Sequence, residues 1–401
     1  MEKSSQINIG NEHPIVTDDQ LPYAHRLYRI PGVGSRVLVN LMNQGFLPEE
    51  IYYMKAKTLE KHLQGRQKKA AWLIAKEHEK ESDTPQILYH SLLERQIHYT
   101  CIGHASYPDR LLKIPDPPFG LYYLGSLPKQ NRPSVAIVGA RGCSPYGIRM
   151  AAGFGSCLAK AGCQIISGMA RGIDGIGQQA ALQEGGYSLG ILGCGVDICY
   201  PKENQALYDA LCANGGVCSE YAPGMQPKNT LFPARNRLIS GFADVVLVIE
   251  ARKRSGSLIT VDMALEQGKE VYALPGRITD ALSEGCNDLI RQGASIALSP
   301  EEMLRDMGLG TKIQVQDKSP SVSEDISDTA SVLFETSDKF SVTQRICAVL
   351  DDTPQSIDEI KEQMLFKFGI EITIPELAGL VMYMNLQGLI HQVGNGYFTI
   401  V

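Results

Sequence analysis

No run of about 18 or more uncharged apolar residues occurs in this 401-residue chain, so nothing in it reads as a membrane-spanning helix. Met1–Gln20 is polar, carries Glu12, Asp18 and Asp19, and lacks the apolar centre of a secretory signal. Together these absences lead to the expectation of a cytoplasmic protein with no membrane partner. There is no C-x-x-C pair, although the chain has ten cysteines. Eight of them (Cys143, Cys157, Cys163, Cys194, Cys199, Cys212, Cys218 and Cys286) fall in one stretch. They read as small buried hydrophobes kept reduced, since a zinc site needs closer Cys/His pairing. Also missing are a serine nucleophile elbow, H-E-x-x-H, a Walker A lysine and a paired-carboxylate motif. The expectation is therefore no catalytic residue, no metal and no cofactor.

An excess of positive charge is lacking too. The formal net charge is −6, which by itself argues against a polyanionic partner. Its distribution reverses that argument. Residues 1–130 hold 16 Lys and Arg against 14 Asp and Glu, residues 131–305 hold 16 of each, and residues 306–401 hold 6 against 14. The acidity sits in the C-terminal quarter, and the middle of the chain can still present a local basic face.

What is present divides the chain into four parts. Residues 1–85 read as an all-helical domain. Within it, Ile30-Pro31-Gly32-Val33-Gly34-Ser35 before the apolar run Val37, Leu38 and Leu41 fits a helix-hairpin-helix (SAM-like) motif, and equally an ordinary glycine-punctuated turn. Residues 86–305 read as an extended α/β domain with its core at 131–305. The segment 86–130 is a Pro- and Tyr-rich approach. Candidate strands then follow at Val135–Val138, Gln164–Ser167, Tyr187–Leu192, Gly216–Ser219, Asp244–Glu250 and Glu270–Ala273, with helix-length segments between them. That alternation predicts a Rossmann-like, doubly wound parallel sheet with ligand-binding loops along one carboxyl-end rim. Residues 306–339 read as a linker, Ser-, Asp- and Thr-rich from Thr311. Residues 340–401 read as a winged helix, with helical patterns at Thr343–Leu350, Ile357–Leu365 and Pro375–Leu386 before a hairpin at Ile390–Ile400.

The rim loops carry the chemistry. After the first strand comes Gly139-Ala140-Arg141-Gly142-Cys143-Ser144-Pro145. It departs from the dinucleotide fingerprint G-x-G-x-x-G at Arg141, where a guanidinium can clamp a phosphate instead. Next come Ser167-Gly168-Met169-Ala170-Arg171-Gly172-Ile173-Asp174 and, further on, Tyr200-Pro201-Lys202-Glu203-Asn204. In Phe232-Pro233-Ala234-Arg235-Asn236-Arg237, Pro233 is expected to open a helix. Arg235 and Arg237 would then lie in its first turn, where cations oppose the helix dipole unless an anion is near. The last loop, Arg252-Lys253-Arg254-Ser255-Gly256-Ser257, sets three cations before a helix cap. One such arginine is most simply a solvated surface charge. Gly, Ser or basic residues on five successive loops are most economically read as the path of a polyanion. Few aromatics accompany them, which predicts little base stacking. Glu220 and Asp197 are the only acids placed for hydrolysis, and each equally serves to fix a loop.

At these residues the chain resembles the DprA/Smf (DNA-processing protein A) family. The motifs G-A-R-x-x-S-x-Y-G, S-G-x-A-x-G-I-D, Y-P-x-E-N, S-E-x-x-P-G, F-P-x-R-N-R-x-I-S-G, R-S-G-S-L-I-T and A-L-E-Q-G occur in order over roughly residues 100–305. The resemblance implies a non-catalytic protein that binds and protects single-stranded DNA during natural transformation and recombination, loads the RecA recombinase onto it, and forms a homodimer through the Rossmann-like domain. It implies phosphate contacts at Arg141, Arg171, Lys202, Arg235 and Arg237, with Ser167, Gly168 and Asn236 in support. The nucleic-acid site expected overall is these residues with Gly139, Arg254, Ser255 and Ser257. One departure is Gln178, where the family often has histidine after G-I-D.

Other classes fit less well. Nucleotide-processing hydrolases on related Rossmann-like folds carry P-G-G-x-G-T-x-x-E, absent here. Gly193-Cys194-Gly195 is only a fragment of a nicotinamide-binding fingerprint. In the expected winged helix, Pro375–Gln387 has no Lys or Arg, and Leu377, Leu380, Val381 and Met384 form one stripe. A groove-reading helix needs cations, so this domain is expected to dock a protein partner.

Overall fold

The computed structural model describes residues 14–78, 84–309, 337–350, 355–386, 389–392 and 396–400. Residues 1–13, nearly all of the expected linker (310–336) and the hairpin tip 393–395 lie outside the described residues. The chain forms two compact units, Met1–Gln314 and Val315–Val401.

In the first unit, five short helices come first: α1 (Leu21–Tyr28), α2 (Ser35–Met42), α3 (Pro48–Tyr53), α4 (Ala56–His62) and α5 (Lys68–His78). The turn between α1 and α2 needs Gly32, whose φ of +91° suits a residue without Cβ. α6 (Pro85–Glu94) leads into β1 (His98–Cys101), and the short α7 (Asp109–Leu112) precedes β2 (Gly120–Gly125). The approach segment thus supplies two strands that its Pro-rich sequence does not announce. They extend the main sheet, with β1 antiparallel to β2 and β2 antiparallel to the strand Gly216–Ser219.

The α/β core follows in chain order: β3 (Ser134–Val138), α8 (Pro145–Lys160), β4 (Gln164–Ser167), α9 (Ile173–Gln183), β5 (Ser188–Ile191), α10 (Gln205–Asn214), β6 (Gly216–Ser219), α11 (Leu231–Phe242), β7 (Val245–Val248), α12 (Gly256–Glu266), β8 (Glu270–Ala273), α13 (Glu284–Arg291), β9 (Ser295–Ile296) and α14 (Pro300–Asp306). The sheet has nine strands in the order β1-β2-β6-β5-β4-β3-β7-β8-β9. All neighbours from β6 to β9 pair in parallel. This is the expected Rossmann-like parallel sheet, with an added antiparallel edge.

The strands are short apolar runs because both faces are covered. Val135 and Ile137 point into one apolar layer with Phe154, Leu158 and Met303, while Ala136 and Val138 point into the other. That second layer also takes in Leu27, Leu38 and Leu41, so the N-terminal helices share a continuous core with one face of the sheet. Both β5 and β7 are shorter than their apolar runs suggest. The carboxylates flanking β7 are engaged elsewhere: Asp244 accepts from the Ser134 N–H at 2.8 Å, and Glu250 accepts from the Ser144 N–H at the start of α8 at 3.0 Å.

The second unit contains α15 (Ser337–Val349), β10 (Gln355–Ser356), α16 (Ile357–Phe368), α17 (Ile374–Leu386), β11 (Ile390–Gln392) and β12 (Tyr397–Ile400). Its sheet runs β10-β12-β11, all antiparallel. Leu377, Val381 and Met384 of α17 are buried against Ile346, Ile360 and Phe398. The apolar stripe of α17 is thus consumed by its own core.

Candidate nucleic-acid interface

The strand order reverses beside β3: the chain fills β4, β5 and β6 on one side, then crosses to β7 on the other. The carboxyl-end loops of β3 and β7 flank the crevice that such a reversal opens. A cavity of about 590 Å³ lies there. Gly139–Gly142 line it from the β3 loop, Asp174 from α9, Arg235 and Asn236 from α11, and Arg252, Arg254, Ser255 and Ser257 from the β7 loop and the start of α12. Its size suits a small ligand.

Its charge is lopsided. Arg141, Arg235, Arg252 and Arg254 all line it, and Asp174 is the only acid that does. Arg141, Arg252 and Arg254 are exposed, and none of the four makes an ion pair among the described residues. Arg235 is 5 % exposed, and its Nε and Nη1 have no hydrogen-bond partner. Burial pulls its pKa down to about 10, against the opposing charge of Asp174. Burial in turn raises the Asp174 carboxyl, with Arg235 pulling it back. Asp174 is held in place by the Gly168 N–H at 3.2 Å. Gly168 has to be glycine, because a Cβ there would meet Arg235 Nη1 at 2.0 Å.

The loops around the cavity are tied together. Gly172, at φ +72°, lies so close to the β3 loop that a Cβ would meet the Ala140 oxygen at 2.3 Å. Gly139 likewise leaves room for Ile173. Asn204 donates to the Met169 and Ala170 carbonyls at 3.0 and 3.2 Å. Gln178 is fully buried beneath the same loop. It accepts from the Met169 N–H at 3.1 Å and donates to Ser188 Oγ and the Leu189 carbonyl. At the position where the resembled family often has histidine, this chain thus has a residue that braces a loop.

A second, smaller recess shares Arg141 and Arg235 and adds Arg171, Gly168, Tyr200 and Phe232. Tyr200 and Phe232 are stacked, with ring centroids 5.3 Å apart and planes at 25°. The rim therefore does carry an aromatic platform. Sequence reading misses it because the two rings are 32 positions apart on different loops.

Several expected contacts are placed otherwise. Arg237 does not face the cavity. Its guanidinium grips Glu220 with two bonds of 2.7 and 2.6 Å and donates from Nε to the Asp116 carbonyl at 3.0 Å. Burial opposes its charge, and Glu220 outweighs that and holds the pKa above the ordinary value. α11 starts at Leu231, two residues before Pro233, so both arginines lie in the second turn and the dipole argument loses force. Ser167 is buried and donates to the Ile137 carbonyl at 2.6 Å, which commits its hydroxyl to the sheet. The α8 N-terminus is not open to a ligand either. Glu250, which is buried, accepts from the Ser144 N–H at 3.0 Å and from the Ser144 hydroxyl. Arg171 pairs at 2.5 Å with Glu203, both exposed, a contact that costs little to exchange. Lys202 is exposed on the adjoining turn and lines neither recess. Ser255 caps α12, accepting from Ser257 N–H at 3.4 Å, so that this helix start faces the cavity. The two acids considered for hydrolysis are both engaged, Glu220 by Arg237 and Asp197 by Arg95 at 2.5 Å. Among the described residues no metal-holding cluster occurs, and no helix is long and apolar enough to cross a membrane.

Fold and cavity together define a Rossmann-like α/β protein with an arginine-lined cavity at its topological switch point. The family model for DNA recombination-mediator protein A matches residues 98–308, and the chain belongs to that family. It is 44% identical over 200 residues to the DNA processing protein DprA of Streptococcus pneumoniae, covering 50% of this chain and 71% of that protein. It is also 44% identical over 205 residues to protein Smf of Escherichia coli, spanning 51% of this chain and 55% of the relative. The X-ray structure of DprA from S. pneumoniae superposes with a TM-score of 0.61 at 32% identity, over 73% of this chain and 98% of that one.

Proposed function

We propose that this chain binds single-stranded DNA along the strand-end rim and serves as a mediator of DNA processing and recombination. The observation that carries the reading is the set of unpaired arginines at the switch point. Uncompensated cations at one site are costly, and a polyanion relieves that cost. Arg141, Arg235, Arg252 and Arg254 take phosphates in the main cavity, with Gly139, Asn236, Ser255 and Ser257 as hydrogen-bonding neighbours. Arg171, Lys202 and Gly168 continue the path past the second recess, where Tyr200 and Phe232 offer a face to a base. Ser167 and Arg237 support it from below. The names of the relatives, DNA processing protein and recombination mediator, support this assignment.

In this reading the protein is a cytoplasmic homodimer without catalytic activity or cofactor. It shields incoming single strands and passes them to a RecA recombinase. The C-terminal unit is a winged helix that docks a protein partner, since α17 carries no cation with which to read a DNA groove.

The test is fluorescence anisotropy of the full chain with labelled single- and double-stranded oligonucleotides at two salt concentrations. Tight, salt-sensitive binding that prefers the single strand is expected. Equal binding to duplex, or none, would overturn the reading. Ending the chain after residue 309 is expected to leave single-strand affinity intact.

A further inference from the structure

The switch-point cavity is better built for the end of a strand than for its middle. We infer that it takes the terminal phosphate monoester of a nucleotide, carried either by the end of a single strand or by a free nucleotide. This rests on the reading of the rim as a single-strand path.

Charge is the first reason. Four unpaired arginines and one buried acid line a single cavity, an excess of three positive charges. An internal phosphodiester brings one negative charge, whereas a phosphate monoester brings about 1.5–2 near neutral pH. Enclosure is the second. Arg235 is 5 % exposed, and two of its nitrogens lack any partner in the protein. A diester runs past a surface with both ester oxygens tied to the chain. A monoester projects beyond it and offers three oxygens to a recessed guanidinium. The third reason is the α12 N-terminus. This 11-residue helix opens onto the same cavity, capped by Ser255, and its positive end favours a dianion. The corresponding start of α8 is already taken by Glu250, so α12 is where such a group is drawn.

The experiment compares one internally labelled single-stranded oligonucleotide in three forms: 5′-phosphorylated, 3′-phosphorylated and with hydroxyls at both ends. Deoxyadenosine 5′-monophosphate serves as competitor and deoxyadenosine as its control. The expected result is binding about tenfold tighter or more for an end-phosphorylated form, as one additional charge-assisted contact gives. The Arg254→Ala and Arg252→Ala changes, both at exposed positions, are expected to shrink that ratio toward one. Competition by the mononucleotide would add the free nucleotide as a source. Its failure beside a preferred phosphorylated end would assign the site to strand termini, and competition without any end preference would assign it to free nucleotides. Three equal oligonucleotides and no competition would overturn the inference and leave the single-strand path standing. Failure of all three to bind would remove the path itself.

Discussion

The switch-point cavity and the seam where the antiparallel edge meets the core use arginine in opposite ways. Along that seam and in the helices beside it, four arginines are ion-paired: Arg26 with Glu77 at 2.7 Å, Arg110 with Asp244 at 3.0 Å, Arg95 with Asp197 at 2.5 Å and Arg237 with Glu220 at 2.6 Å. At the parallel half, Arg141, Arg235, Arg252 and Arg254 surround one cavity without an acid apiece. The contrast is sharpest within α11. Arg235 and Arg237 are two residues apart, yet one is a buried cation whose Nε and Nη1 have no hydrogen-bond partner and the other a clamp between elements. Paired arginines hold a fold together. In the proposed reading, the unpaired ones at the cavity are kept for a ligand's charge.

Substitutions on α11 test that contrast most strongly. Replacing Arg237 with methionine strands the Glu220 carboxylate, whose side chain is only 11 % exposed. The expected loss is about 3–5 kcal/mol of folding stability, read from the denaturant midpoint. Adding Glu220→Leu should recover much of it. Arg235→Met should cost far less stability than Arg237→Met, because Arg235 makes no hydrogen bond at Nε or Nη1 and its removal leaves Asp174 still held by the Gly168 N–H. The same change should weaken single-strand binding about tenfold or more. If both variants lost stability equally, the distinction between clamp and ligand site would fail.

A pH-dependent effect lies beside the antiparallel edge. His25 is buried among Tyr89, Tyr99 and Tyr122, and neither ring nitrogen has a partner. Burial lowers its pKa from 6.5 to about 3. Between those values the unfolded chain binds a proton that the folded one refuses. The neutral ring's contribution is therefore fully present above pH 6.5 and is lost as the pH falls toward 3, at up to about 1.4 kcal/mol per pH unit. His25→Phe should flatten that part of the stability profile, and an unchanged slope would assign it to other groups. Smallest of all is the change in salt dependence. Arg141→Ala should reduce the log–log slope for single-strand binding by about 0.7, the value of one phosphate contact.

Much of this was legible in the chain itself. β4, β6 and β8 match their apolar runs residue for residue, because fully buried parallel strands have little but hydrophobic sequence to show. The β3 loop was legible as a rim loop because glycines follow the apolar strand directly, and Arg141 lines the cavity there. What escaped depends on distant pairing. Nothing local separates Arg235 from Arg237. Their difference is fixed by Asp116, 121 positions away, and by Glu220. The stacked Tyr200–Phe232 platform and the bracing role of Gln178 likewise arise only when separate loops meet. The strands β1 and β2 were hidden by the prolines of the segment that carries them.

Glu250 gives the fold a different use from that of its dinucleotide-binding counterparts. In those proteins the helix after the first strand holds a pyrophosphate at its start. Here the protein has furnished that seat from its own sequence, with a carboxylate sent across from the neighbouring strand end. Writing glycine at Arg141 would restore the start of the fingerprint and still leave the seat occupied. One strand along the sheet, the start of α12 lies beside the cavity lined by arginines. The shared layout thus comes with a different occupant at the start of α8, a carboxylate of the chain itself where the dinucleotide-binding fold places a pyrophosphate.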